Sequence, residues 1–463
     1  VNTVFSAWFP RITVHSLAIV ASLLIYILTT RAERERRPPA VAIAWVLGLV
    51  AVPYMVLPLY VLFGRRKLLR KASQRKLPTH PSPHWAQILI ASFGLEPAAA
   101  GRTRWHANGE SARTALWDLF DRAQQRLDVC TYILGNDAFG REVAARLAAR
   151  AAAGVRVRLM IDGVGALSVS RALWRQLRRQ GIETATFSPL LARSTGGPRN
   201  LRNHRKLAIA DAAALWAGGR NLADEYFCGQ GGTPPWIDLS FDVEGAVAAA
   251  AALQFESDWV DSGGAPAAPL AAPADLSSDL AQQTVTGRVQ FLPSGPDQSE
   301  DTVHALLIDA CFRAESRLLA ITPYFVPDAA LATAMRLAAH RGVKIDLCMP
   351  ANSNHVLADF ARSRGLRALA DAGAGIHLLS GMVHAKAFVF DRTLAISGSP
   401  NLDSRSLLLN YESAFVFYGP QDIDWVAAWI ESFLPAAVPF DNRAPGLWRD
   451  LSEGLLLSVA YQL

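Results

Sequence analysis

"HRKLAIAD" occupies residues 204–211 and "HAKAFVFD" occupies residues 384–391. Each opens on a histidine, carries a lysine two places on, and closes on an aspartate: His204, Lys206 and Asp211, then His384, Lys386 and Asp391. In a strand, residues i and i+2 leave the backbone on one face. Each histidine and lysine therefore emerge side by side at the start of an apolar strand, built around Leu207 and Ile209 in one copy and Phe388 and Phe390 in the other. The chain holds only six lysines, so two of them in one repeated pattern is not a matter of composition. The match extends beyond the octapeptides. Gly219 and Asn221 stand 15 and 17 residues after His204, and Ser399 and Asn401 stand 15 and 17 residues after His384.

The flanking sequence repeats as well. An amphipathic helix pattern at 111–125 is followed by strand "RLDVCTYIL", helix "DAFGREVAARLAARAAAG" and strand "VRVRLMID". A second set begins at residue 300 with "EDTVHALLIDACFRAES" and continues through "RLLAITPYFV", "DAALATAMRLAAHRG" and "VKIDLCMPA". Alternating helices and strands in one order predict α/β domains with helices covering a mixed sheet. Residues 261–283 are rich in Ala, Pro, Gly and Ser and read as a linker. The predicted units are 1–64, an apolar hairpin; 65–105, a basic juxtamembrane segment; 106–275, a first α/β domain; and 276–463, a second.

Two histidines, two lysines and two asparagines brought face to face suit a phosphodiester. The lysines and amides can hold non-bridging oxygens and stabilise charge in the transition state. One neutral imidazole can attack phosphorus, and the other can protonate the leaving oxygen and then deprotonate an incoming alcohol. The twin motifs are too symmetric to say which histidine does which. Asp211 and Asp391 are read as holding their own histidines in place. No metal or cofactor is expected, because the lysines supply the positive charge and no H-E-x-x-H pattern or acidic cluster is present.

Composition locates the rest. The hydrophobic fraction is 51% and mean hydropathy is +0.17, and the excess lies in two uncharged runs, Ile12–Thr30 and Ala40–Phe63. About 20 apolar residues cross a bilayer as a helix, so both runs are expected to form a transmembrane hairpin. Pro53 and Pro58 are placed to kink the second helix or keep it from crossing fully. The connector carries four arginines and residues 65–76 carry seven Lys or Arg, which predicts a cytoplasmic body and a multi-pass protein of the bacterial inner membrane. Residues 1–76 hold twelve basic side chains against two acids, so of the chain's net +6 the remaining residues carry −4. A body of that sign argues against a nucleic-acid partner. Cys130, Cys228, Cys311 and Cys348 form no C-x-x-C pair and read as reduced thiols of a cytosolic core. The C-terminal "LSEGLLLSVAYQL" reads as a core-packing helix.

These residues resemble the phospholipase D superfamily, whose signature is a duplicated H-x-K-x4-D followed by G-x-N or S-x-N. "RNHRKLAIAD", "GGRNLADEYF", "TPYFVPD" and "SGSPNLDSRSLLLNYE" are similar to the bacterial cardiolipin synthases within it. The resemblance implies two tandem phospholipase D-like domains sharing one active site. It also implies transfer of a phosphatidyl group between two phosphatidylglycerol molecules, giving cardiolipin and glycerol through a phosphohistidine. By the same resemblance His204 is the nucleophile and His384 the acid and base, with Arg405 and Glu412 in support. Gly219, Asn221, Ser399 and Asn401 are then substrate-binding. Using the same residues, a membrane-bound phospholipase D hydrolase or a transferase with another alcohol acceptor, such as a phosphatidylserine synthase, is the alternative. The glycine-rich "CGQGGTPPWIDLSFDVEG" departs from the family pattern, and if it lines the acceptor site it bears on the choice of alcohol.

Overall fold

A computed structural model describes residues 13–33, 39–64, 84–189, 200–268, 270, 287–450 and 453–454. The basic stretch 65–76, the boundary near residue 275 and most of the C-terminal apolar segment lie outside these residues.

The first half supplies strands β1 (Ala99–His106), β2 (Arg126–Thr131), β3 (Arg156–Asp162), β4 (Glu183–Phe187), β5 (Leu207–Ala210), β6 (Ala214–Gly218) and β7 (Ser240–Gly245). The second supplies β8 (Gly287–Ser294), β9 (Arg317–Ile321), β10 (Phe325–Val326), β11 (Lys344–Pro350), β12 (Gly375–Leu379) and β13 (Ala387–Phe390). It continues with β14 (Leu394–Gly398), β15 (Leu402–Asp403), β16 (Glu412–Phe417) and β17 (Val438–Pro439). Apart from the short pair β10–β15, all of these join one 15-stranded sheet in the order β17-β12-β11-β9-β13-β14-β16-β8-β1-β7-β6-β5-β2-β3-β4. Apart from the edge strand β17, the order is a palindrome about β8 and β1, which pair antiparallel, Gly101 opposite Gly287. The sequence repeat is thus a pseudo-twofold axis through the middle of the sheet.

In the large sheet β2–β3–β4 and β9–β11–β12 run parallel, joined by helical crossovers, and its other pairs are antiparallel. The strands are buried on both faces, as expected of a sheet covered by helices. Leu207 and Ile209 face one core with Ala387 and Val389, a core that spans both halves under helix α9 (Ala246–Asp261) and the helix Pro420–Glu431. Ala208 and Ala210 face a second core private to the first half, and Phe388 and Phe390 a third in the second half, which also takes in Ala86 and Ile90 from ahead of β1. One shared core makes the two halves one folding unit on that face.

The apolar N-terminus differs from the expectation. Its first run forms α1 (Val14–Glu33), and its second splits into α2 (Pro39–Ala51) and α3 (Pro53–Phe63). Pro53 lacks the N–H that would carry a continuous helix through Val52. Tyr60 packs among Tyr26 and Trp45, and its hydroxyl meets Thr29 Oγ1 at 2.6 Å. Among the described residues no helix is long and apolar enough to cross a membrane; the first expected span is one helix of 20 residues, and the second appears as two helices of 13 and 11. The expected boundary at residue 106 also shifts: β1 already belongs to the sheet from Ala99, and α4 (Trp85–Ser92) packs on the helix Thr302–Arg313 of the second half.

Candidate active site

Cys130 of β2 stands opposite Leu207 of β5, so His204 lies just beyond the C-terminal end of β2. Ile321 of β9 stands opposite Ala387 of β13, which places His384 at the equivalent point. Backbone bonds then cross between the halves. His204 N donates to Tyr411 O at 2.8 Å, and His384 N donates to Ile237 O at 2.7 Å.

Each histidine faces a carboxylate from the opposite half. His384 Nδ1 lies 2.8 Å from Asp238 Oδ2, and His204 Nδ1 lies 3.4 Å from Glu412 Oε1. Asp238 and Glu412 are equivalent by register: Gly218 pairs Ser240 and Gly398 pairs Ala414, and each acid sits two residues before its strand partner. This crossing corrects the expected role of Asp211 and Asp391. Both lie at the far end of their strands in the left-handed region (φ 54° and 51°), which aspartate tolerates better than most residues. There Asp211 accepts from the main-chain N–H groups of Gln124, Gln125 and Arg126, and Asp391 from those of Glu315, Ser316 and Arg317. They tie the start of β2 and β9 to the turn after β5 and β13, and do not contact a histidine.

The remaining site residues fall in two groups. Lys206 Nζ donates to His204 O at 2.8 Å and lies 5.8 Å from the Tyr132 ring. Lys386 Nζ lies 3.1 Å from His384 Nε2 and also donates to the His384 carbonyl. Asn221 gives one amide hydrogen to Tyr226 OH at 2.8 Å and accepts from Ile133 N at 3.3 Å. Asn401 Oδ1 is buried without a partner. Gly219 and Ser399 lie against the carboxylates: a Cβ on Gly219 would lie 2.2 Å from Asp238 Oδ1, and Ser399 Oγ donates to Glu412. Ser406 Oγ and Asn410 Nδ2 complete the hydrogen bonds to Glu412. Arg405 donates to Asn200 O at 2.8 Å.

Electrostatics follow from burial. Desolvation and the neighbouring Lys206 lower His204 to about 4, against Glu412. Desolvation and Lys386 lower His384 to about 3, against Asp238. Burial lowers Lys206 to about 8 and Lys386 to about 7. Burial opposes ionisation of Asp238 and Glu412 too, but the facing histidine and lysines outweigh it and hold both below the usual carboxylate range. Lys386 acts on His204 and Lys206 on His384, so the four groups form one centre. With substrate absent the imidazoles are neutral, and an incoming phosphodiester would meet both lysine side chains beside the two imidazoles, with Lys386 Nζ against His384 Nε2.

Asp238 is the functional residue that sequence reasoning missed. It lies in the segment noted above as a departure from the family pattern, and the signal was the repeat itself, once extended to the strand after each asparagine. Aromatic rings wall the site: Tyr132 stands edge-on to His204 at 4.5 Å, and Tyr226 and Trp236 lie 5.0 and 5.7 Å from His384. An open cleft of about 910 Å³ beside Trp85, Arg341 and Asp391 lies at the opposite end of β13 and holds neither histidine. Among the described residues no group of three His, Cys, Asp or Glu side chains is placed to hold a metal ion. Cys130, Cys311 and Cys348 are buried thiols, whereas Cys228 is exposed, against the core placement expected of all four.

A family profile described as "Cardiolipin synthase, PLD-like domain" matches residues 116–259 and 307–434, the two halves that carry the crossed pairs. The chain belongs to this phospholipase D-like cardiolipin synthase family, whose members are phosphatidyltransferases. A cardiolipin synthase of Geobacillus thermodenitrificans is 30% identical over 88% of this chain and 85% of its own length. Cardiolipin synthase A of Pseudomonas syringae is 29% identical over 80% of this chain and 81% of its own. The fold is shared with phosphatidylserine synthase of Haemophilus influenzae, with a TM-score of 0.60 at 16% identity over 80% of this chain and 98% of that one.

Proposed function

We propose that this family member joins two phosphatidylglycerol molecules into cardiolipin and glycerol through a phosphohistidine on His204. The observation that carries this reading is the crossing of the pairs, His204 with Glu412 and His384 with Asp238, which makes one site from two halves. In the first step Nε2 of His204 attacks phosphorus and the P–O bond to glycerol breaks, with the departing oxygen taking a proton from His384. In the second, His384 takes the proton of a hydroxyl on the other phosphatidylglycerol, whose oxygen attacks phosphorus as the P–N bond breaks. Lys206 and Lys386 neutralise the non-bridging oxygens in both steps. His384 is assigned the acid and base role, with Asp238 at 2.8 Å placed to steady the imidazolium formed as the proton moves. Bound phosphodiester adds negative charge that raises both histidines from their low values in the empty site. Helices α1–α3 lie in the bacterial inner membrane and hold the body at its cytoplasmic face, without a metal or nucleic-acid partner.

Purified enzyme in phosphatidylglycerol liposomes, followed by lipid mass spectrometry, tests the acceptor. Cardiolipin and glycerol in equal amounts are expected. Phosphatidic acid as the product would make the protein a hydrolase, and turnover only with CDP-diacylglycerol and serine would make it a phosphatidylserine synthase.

A further inference from the structure

The mouth of the site is built by loops that follow the parallel strands, and those loops carry apolar side chains into water. In the first half the chain leaves β3 at Asp162, whose carboxylate accepts from Asn203 N at 2.8 Å beside His204. The next residues lie against Tyr132, so closely that a Cβ on Gly165 would meet Tyr132 O. Val164 and Leu167 project from this loop, and Leu167 is 67% exposed. In the second half the chain leaves β11 at Pro350, and Asn354 accepts from Tyr324 OH at 2.5 Å. Val356 and Leu357 follow, and Val356 is 79% exposed. Leu447 and Trp448 directly precede Arg449 and Asp450, which meet the same helix Val356–Asp371 at Phe360 and Arg364, and Trp448 is 83% exposed. The pseudo-twofold axis thus sets two apolar loops on either side of one catalytic centre, at the same end of the sheet. Exposed apolar side chains gathered in this way mark an interaction surface.

Charge identifies the partner. Directly after the first loop comes α7 (Arg171–Arg179), which buries Leu173 and Leu177 and exposes all four of its arginines. Residues 163–182 contain no acidic side chain. Among the described residues none of these arginines is paired with a carboxylate; Arg178 bonds the Thr184 hydroxyl and Arg175 a carbonyl of its own helix. An acidic protein surface would match the arginines but set carboxylates against the apolar loops, whereas an anionic bilayer meets the apolar loops with acyl chains and the arginines with phosphates.

We propose that these two loops, with Leu447 and Trp448, form a rim that dips into an anionic bilayer and seats the mouth of the site on the lipid headgroups. The proposal rests on the phosphatidyl-transfer reading above but concerns a different surface from the apolar N-terminal helices. It is tested on the full chain with two readouts. The first is tryptophan quenching by phosphatidylglycerol vesicles with brominated acyl chains, compared between wild type and Trp448→Phe. A quenched component that disappears in Trp448→Phe is expected, and identical quenching in both would overturn the rim. The second is kinetic, with Leu167→Glu/Val356→Glu, both at exposed positions. The variant is expected to raise the apparent KM for vesicles about tenfold and to leave kcat/KM on monomeric dihexanoyl-phosphatidylglycerol unchanged. An unchanged KM on vesicles, or an equal loss on both substrates, would overturn the proposal. Failure of wild type to turn over either substrate would count against the transfer reading alone, and the quenching readout would still decide the rim.

Discussion

At the scale of single residues, the carboxylates divide into two kinds, those that close the sequence motif and those that face the histidines from the opposite half. Asp391 and Asp211 satisfy main-chain N–H groups, so their loss is expected in stability: Asp391→Ala should lower stability by about 1–2 kcal/mol in urea denaturation, with kcat within about threefold of wild type. Asp238→Ala and Glu412→Ala remove the acids that face the histidines and should lower kcat by roughly 10²–10⁴-fold while the circular dichroism spectrum is retained. The lysines set the pH profile. Lys386 and Lys206, lowered to about 7 and about 8 by burial, are cationic below those values and neutral above them. Affinity for the anionic lipid is therefore present on the acid side and lost as pH rises, so KM for dihexanoyl-phosphatidylglycerol should climb between about pH 7 and pH 9. His204, lowered to about 4, keeps its lone pair throughout that range. A KM that falls with rising pH would contradict the assignment of the lysines to the phosphate.

At the scale of elements, much of the site was legible because strand periodicity and the repeat together specify it. The i, i+2 pairs, the buried strands after them and the asparagines after the next strand are all where spacing puts them. What spacing could not give is partnership across the halves. Asp211 is seven residues from His204 and touches nothing near it, whereas Glu412 is over two hundred residues away and faces it, because register in a sheet, not proximity in sequence, decides contact. Arg205 shows the same limit. It has no counterpart in the second motif, where Ala385 stands, and it points away from the site into a buried network. Its guanidinium bonds Asp258 at 2.5 Å, Asp297 at 3.2 Å and the carbonyl of Glu412 at 3.1 Å. Arg205→Met would leave two acids facing one another without their cation, and is expected to cost about 3–5 kcal/mol of stability in denaturant titration. The paired glycines 218 and 398 are equally binding: a Cβ would come 2.3 Å from Leu239 O at one and 2.2 Å from Ser413 O at the other. The proline in the second apolar run was legible as a break, and the helix does end there.

At the scale of the whole molecule, the palindromic sheet is what turns a duplicated motif into one centre. Each half alone would hold a histidine and lysine without the carboxylate that faces the histidine, so neither half is expected to act alone. A chain cleaved within 271–286 should keep its two pieces together through the β1–β8 pairing and the shared core, and retain activity. Separation of the pieces in gel filtration with activity in either one would contradict that. In the proposed reaction His204 attacks phosphorus and His384 handles the proton. A phosphatidyl ester of p-nitrophenol separates these roles, because its leaving group departs without a proton and the first step no longer needs the acid. Rapid mixing of this ester with His384→Ala should release a burst of about one p-nitrophenol per protein, followed by slow turnover as the phosphohistidine persists, and His204→Ala should give no burst. A burst in His204→Ala and none in His384→Ala would contradict the account.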